Sequence, residues 1–461
     1  MDDIVTIRRE IDHVPLRPFH WKVLALVMLA VVFDGIDALV PAYAIPFLEK
    51  DWGLSAAQSG LLVSAGLVGI AVGALLHGPI ADRTGRRPAL LAGMLISGVF
   101  SVATAALATG PVSFMSFRVL TGFGLGVILP IAIAYLNEFL PVKVRNRLAI
   151  LGAAGFSVGG IVAGLFGVYA VPELGWHSLF YIGGVTIVLA AVYPFVLPES
   201  PEWLASRGRA GEARAVLDRV APADVRAAAV AAAVPAPVDS ANAGPGHARR
   251  DWRLPLRPEF LGRTLALWYS AFLLLFVAYG ITGWAPTLLI ERGFTMSAGF
   301  ALSATLQALS LIGGLLGAYL ADRWLGTRNL LILWGVLGAL TVFVTGIAGT
   351  GALTAVAVAL TGMFVHGGLY VLYNVCAQTY PVEARSTGQG LMIGVGRWGA
   401  VLGPAIGGAL LGVLGSKDDF FIVLAVITLL AVAGLFAIRT TGRQAAAVEE
   451  RPATTVPAGE E

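Results

Sequence analysis

The sequence predicts an all-α membrane protein with twelve transmembrane helices in two pseudo-symmetric six-helix halves. Three observations predict it. Of 461 residues, 57% are hydrophobic and only 13% charged, too little charge to cover a soluble surface. The apolar residues fall in runs of roughly 20, the length that spans a bilayer as a helix. Two separated motifs also recur at one fixed offset along the chain.

The runs place the spans at 22–47, 58–80, 88–109, 112–137, 148–171, 177–197, 264–289, 298–321, 329–349, 352–378, 387–414 and 418–438. They divide the chain into an N-terminal tail 1–21, a first half 22–197, a linker 198–263, a second half 264–438 and a C-terminal tail 439–461. The 57 glycines suit close helix packing and the 10 tryptophans suit membrane interfaces. The first 22 residues are polar and the run after them is too long for a leader, so no cleavable signal is expected. No lipidation motif appears. One cysteine, Cys376, excludes an internal disulfide and reads as a small packing residue.

Basic residues set the orientation. Of 31 Lys and Arg, only Lys50, Arg292 and Lys417 fall in odd-numbered loops, and Arg118 and Arg397 lie inside spans. The rest crowd the termini and even-numbered loops, so both termini are expected in the cytoplasm. The linker holds an Ala/Pro/Gly tract, "AAAVAAAVPAPVDSANAGPG", which reads as flexible. Before it, "EARAVLDRV" suits a short helix on the membrane surface. The linker shows no catalytic or nucleotide-binding domain, and no nucleic-acid partner is expected.

The repeat has an offset of 240. "GPIADRTGRRPALL" after span 2 resembles "GAYLADRWLGTRNLL" after span 8, pairing Asp82 with Asp322 and Arg83 with Arg323. "NEFLPVKVRNR" after span 4 resembles "AQTYPVEARST" after span 10, pairing Glu138 with Gln378 and Arg145 with Arg385. Parallel halves of this kind bind substrate between them, near the bilayer midplane.

Charges inside spans are costly and point to function. Asp34 lies about 12 residues into the first span, about 18 Å deep, and Asp37 is one turn further on the same side. Such a pair can carry a proton in one conformation and lose it in another, or form a structural pair with a buried cation. Arg118 lies about 10 Å from the outer end of span 4, so its side chain reaches the level of Asp37. It fits a switching partner or a permanent salt bridge. Arg397 in span 11 is flanked by glycines and has no acid in its own span. A buried guanidinium wants an anion, and its planar fork matches a carboxylate. His366 lies mid-span and suits either packing or a proton-sensitive contact. Tyr279, Trp284, Tyr373 and Trp398 could stack on a ring or simply pack.

These residues carry a family resemblance. Six plus six spans, "GPIADRTGRR" and its weaker copy resemble the major facilitator superfamily. "PESPEWL" after span 6 is similar to its metabolite and sugar porter branch. "DGID" in span 1, Arg118 in span 4 and "GVGRWGAVLGPAIGG" in span 11 together resemble the aromatic acid:proton symporters. The resemblance implies the major facilitator fold and import of a benzoate-type or hydroxybenzoate-type acid across a bacterial inner membrane. The coupling ion would be the proton, and no cofactor is implied. Asp34, Asp37 and Arg118 would couple protons. Arg397, Tyr279, Trp284, His366, Tyr373 and Trp398 would bind substrate. Asp82, Arg83, Arg86, Arg87, Glu138, Arg145 and Asp322 would form gating contacts that break as the transporter opens inward. A monomer in the lipid bilayer is expected. The competing readings are a porter for another organic acid or a sugar, a drug exporter, and a non-transporting sensor of the acid. No nucleophile–base pair or metal cluster appears in the spans, so an enzyme is not expected.

Overall fold

Local chemistry sets the helix ends before any packing does. The computed structural model describes residues 2–232, 253–414 and 416–438. After a short helix α1 (Asp2–His13), α2 (Pro18–Trp52) starts on a proline and stops at Gly53, whose φ of 62° suits a residue without a side chain. Helix α3 (Ala56–Thr84) is capped reciprocally by Ser55 and Gln58. Helices α4 (Arg86–Leu107), α5 (Pro111–Phe139), α6 (Arg145–Leu174) and α7 (Ser178–Val196) complete the first half. The second half comprises α11 (Pro258–Glu291), α12 (Met296–Leu325), α13 (Thr327–Ile347), α14 (Ala352–Thr379), α15 (Val382–Val413) and α16 (Lys417–Leu435).

Eleven of these twelve helices are long and apolar enough to cross a membrane. The other is α15, whose 32 residues are long enough but include Arg397 and many glycines. The helix that falls short is thus the one carrying Arg397.

Glycines bring helices close within each half. A Cβ on Gly122 of α5 would come within 2.0 Å of the Gly66 carbonyl oxygen of α3, and one on Gly399 of α15 within 2.1 Å of the Phe272 carbonyl oxygen of α11. Only glycine fits such approaches. The halves meet along α3–α15, α6–α12 and α2–α11. Among the described residues, Ser64 Oγ donates to the Val401 carbonyl at 2.7 Å, Ser157 and Tyr370 hydroxyls pair at 2.7 Å, and Tyr43 meets Phe300 edge-on. All three contacts lie at mid-depth or towards the end opposite the termini. The halves are therefore closed at that end.

The end carrying the termini departs from expectation. The N-terminal tail is not simply a tail: α1 docks through buried Ile7 and Ile11, with Val14 just after it. The linker, expected to hold one short helix and a flexible tract, forms α8 (Pro201–Ser206), α9 (Ala210–Val220) and α10 (Ala223–Ala232). Helix α9 contains the "EARAVLDRV" stretch and buries Ala213, Val216, Leu217 and Val220. The rest of the Ala/Pro/Gly tract and the C-terminal tail lie outside the described residues.

Candidate functional site

The two acids of "DGID" differ in their surroundings. Asp37 is fully paired on one oxygen. Its Oδ1 accepts from Arg118 Nη1 at 2.8 Å and from Ser101 Oγ at 2.9 Å, while Arg118 Nη2 donates to the Asp37 carbonyl at 2.6 Å. Both side chains are 1% exposed. Gly66 and the Phe180 ring flank the guanidinium. Asp37 Oδ2 and Arg118 Nε are buried without a hydrogen-bond partner.

Asp34 is 3% exposed and makes no hydrogen bond or ion pair with any described residue. The charges acting on it are Arg397, from the other half, and then Asp37. Arg397 is half-buried, and Tyr279, Tyr373 and Asp34 are the groups that act on it. It has no ion pair among the described residues. The tight α11–α15 packing at Gly396, Gly399 and Gly403 fixes the helix that presents it. A half-buried guanidinium of one half thus acts on an unpaired acid of the other.

Two aromatics of the predicted substrate set belong elsewhere. Trp284 is 2% exposed, and its indole N–H donates to the Pro404 carbonyl at 3.0 Å, against Gly407 and Gly408. It seals the α11–α15 contact. Trp398 is 52% exposed and shares an outward stripe with Ile406 and Val413, turned away from α3 and α11. Its neighbour Arg397 points about 100° away, the rotation per residue of an α-helix. His366 ends a π-helical turn, Gly362–His366. Its Nε2 lies 2.8 Å from Thr282 Oγ1 and 3.1 Å from the Ala278 carbonyl, so it ties α14 to α11.

The motif residues at the terminus-bearing end form a network in the first half. Arg86 Nε donates to Glu138 at 2.9 Å, and its Nη1 donates to Asp82 at 3.0 Å. Arg87 donates to the carbonyls of Pro194 and Leu197. Arg145 binds Asp12 of α1 and the Leu140 carbonyl. Arg83 is exposed, with no ion pair among the described residues. In the second half Asp322 is exposed in the π-helical turn Ala321–Leu325, and Gln378 donates to Thr327 Oγ1 at 2.9 Å where the first half has an ion pair.

The acid at the α4 N-terminus is Glu199. It accepts the backbone N–H groups of Arg86 at 3.0 Å, Arg87 at 3.2 Å and Ser200 at 2.7 Å. Burial pushes its carboxyl above the usual range, against the pull of these donors. Glu199 lies in "PESPEWL", but nothing in the sequence marks it as a helix cap, and nothing marks Ser101, Asp12, Ser157 or Tyr370 as site residues. No group of three or more His, Cys, Asp or Glu among the described residues could hold a metal.

Two six-helix halves closed at one end, with a cation and an acid facing each other between them, define a membrane transporter. The chain belongs to the major facilitator superfamily, whose model matches residues 26–380 and 304–460. It is 34% identical to the 4-hydroxybenzoate transporter PcaK of Pseudomonas aeruginosa, covering 91% of this chain and 93% of that one. It is 33% identical to a gallate transporter of Pseudomonas putida, over 99% of both chains. It is 30% identical to a benzoate transport protein of Acinetobacter baylyi, over 94% and 92%. Among solved structures, an inward-open xylose transporter XylE from E. coli shares the fold with a TM-score of 0.73 at 16% identity, over 93% of this chain and 99% of that one. The family and these relatives are transporters, not enzymes.

Proposed function

We propose that the protein is a proton-coupled importer of an aromatic carboxylic acid, working by alternating access in a bacterial cytoplasmic membrane. Both termini lie in the cytoplasm and the monomer is the working unit. One observation carries the reading: Asp34, buried and unpaired, lies in the field of Arg397 from the opposite half. The relatives that match nearly the whole chain carry hydroxybenzoate, gallate and benzoate.

Asp34 and the substrate carboxylate compete for one guanidinium. A proton on Asp34 removes its claim and leaves Arg397 free for the substrate. Loss of that proton restores the claim and helps expel the anion. Closure opposite the termini, with Ser64 on Val401 and Tyr43 on Phe300, corresponds to the inward-facing state. Opening outward breaks these contacts, whereas the Arg86–Glu138 and Arg86–Asp82 pairs lie within the first half and are intact in this inward-facing arrangement, so they are not the contacts whose breaking opens the inner face.

The test is uptake of labelled 4-hydroxybenzoate into vesicles with an imposed inward proton gradient. Accumulation should collapse with a protonophore. Concentrative uptake that ignores the protonophore would remove protons from the mechanism.

A further inference from the structure

We propose that the hydroxyls of Ser157 and Tyr370 form the subsite for a ring hydroxyl of the aromatic acid, and so set the preference among substituted benzoates. This rests on the aromatic-acid reading above.

The pair spans the junction of the halves. Ser157 on α6 is 3% exposed, and its Oγ lies 2.7 Å from the Tyr370 hydroxyl on α14. Ser157 sits at the depth of Asp34. The residues beside them, Phe156 and Gly35, pack so tightly that a Cβ on Gly35 would come within 2.2 Å of the Phe156 carbonyl oxygen. The Tyr370 ring is held in place over Gly314, where a Cβ would come within 2.7 Å of it.

The pair is also continuous with the carboxylate-binding end. Tyr370 and Tyr373 are three residues apart, on one face of α14. Tyr373 acts on Arg397, and Tyr279 acts on Arg397, Tyr370 and Tyr373 alike. Tyr370 and Tyr373 are both half-buried, and the contact between the Ser157 and Tyr370 hydroxyls is itself only part-buried. A ring anchored at Arg397 and lying past Tyr373 points its far edge at Tyr370 and Ser157.

The chemistry suits a hydroxyl. Two paired hydroxyls use one proton and one lone pair between them, leaving one proton and three lone pairs. A substrate hydroxyl can both accept from and donate to such a pair. The size of the preference follows from the same count. A site whose polar groups are stranded by the wrong substrate discriminates about 10⁴-fold or more. Here Ser157 and Tyr370 satisfy each other when no ring hydroxyl arrives. The gain is then one net hydrogen bond, roughly tenfold. Benzoate should bind, but less tightly.

The experiment measures dissociation constants of the purified full-length protein for benzoate and for 2-, 3- and 4-hydroxybenzoate. It uses wild type, Tyr370→Phe and Ser157→Ala. Wild type should favour at least one hydroxybenzoate by about tenfold. Tyr370→Phe keeps the ring over Gly314 and should erase that preference while benzoate affinity stays within about twofold. Ser157→Ala should reduce the preference in the same direction, and decides the matter if the Phe variant does not fold. Three outcomes overturn the inference: no hydroxyl preference in wild type, a preference kept in the folded variants, or equal losses for benzoate and its hydroxy analogues. If wild type binds none of these acids, the aromatic-acid reading fails as well. If benzoate binds and is carried while the variants leave selectivity untouched, only the subsite fails.

Discussion

Arg118 holds Asp37 twice, through the carboxylate at 2.8 Å and through the backbone carbonyl at 2.6 Å, while Asp34 one turn away has no such partner. The two acids therefore have different physical tasks. Asp37 is locked into the first half, with Ser101 as a second donor to the same carboxylate oxygen. Asp34 faces the other half.

The first prediction separates them by stability. Removing one partner of a buried ion pair strands the other charge, at a cost of about 3–5 kcal/mol. Asp37→Asn and Arg118→Ala should each lower Tm markedly. Asp34→Asn removes an uncompensated buried charge and should leave Tm unchanged or raised. Melting curves of the purified variants decide this. Equal losses for Asp34→Asn and Asp37→Asn would show that the two acids are structurally equivalent.

The second prediction concerns coupling. Asp34→Asn mimics the protonated acid, so Arg397 is permanently free for substrate. Binding should be as tight as in wild type or tighter. Exchange of labelled for unlabelled substrate should persist, because it needs no net proton release. Accumulation driven by a pH gradient should disappear. Retained accumulation would place the coupling proton elsewhere.

Glu199 supplies a prediction in pH. Its carboxyl is raised above its ordinary value of 4.5 by burial. A raised acid binds its proton more tightly in the folded state, so its contribution favours folding at low pH and is lost as pH rises through the folded value. Glu199→Gln removes the titration. The Tm of wild type minus that of the variant should therefore be greater at about pH 4 than at about pH 7. A difference that grows with pH would mean that the helix N-terminus, not burial, governs this group.

The docked α1 sets apolar burial against ion pairing. Ile11 is fully buried, and truncating such a residue to Ala costs about 2–5 kcal/mol. The Arg8–Glu202 pair, at 2.6 Å, keeps 29% and 24% exposure, and pairs of that kind contribute about 0–1 kcal/mol. Ile11→Ala should thus lower Tm more than Arg8→Ala. The reverse order would make the ionic contacts the main attachment.

Much of this was legible beforehand, for physical reasons. Spans announce themselves because lipid tolerates little but apolar side chains, and the 240-residue offset exposed the two halves. Asp34, Asp37, Arg118 and Arg397 stood out because charge in an apolar run is costly. Two kinds of feature stayed hidden. Short amphipathic helices look polar on average, although Ile7, Ile11 and Val14 already had the spacing of a helical stripe. Neutral polar residues such as Ser157 and Tyr370 cost little in a span and so raise no signal. Composition also cannot say which way a tryptophan faces, and the 52% exposure of Trp398 is not legible in it.

The last prediction tests Arg397 as the carboxylate's partner. Its planar fork donates two parallel hydrogen bonds to a carboxylate, and Lys keeps the charge without the fork. Arg397→Lys should weaken binding of 4-hydroxybenzoate, and Arg397→Ala should weaken it further. Removing one side of a buried charged contact costs about 2–5 kcal/mol, roughly 30-fold to several thousand-fold in affinity. The decisive control is 4-hydroxybenzamide, which keeps the ring and the hydroxyl but carries no charge. Wild type should bind it poorly, and the Ala variant should lose little more. Equal losses for acid and amide would mean that Arg397 supports the packing of α15 rather than the substrate. The competition with Asp34 would then have no object, since a guanidinium that never meets the substrate cannot be released to it by a proton.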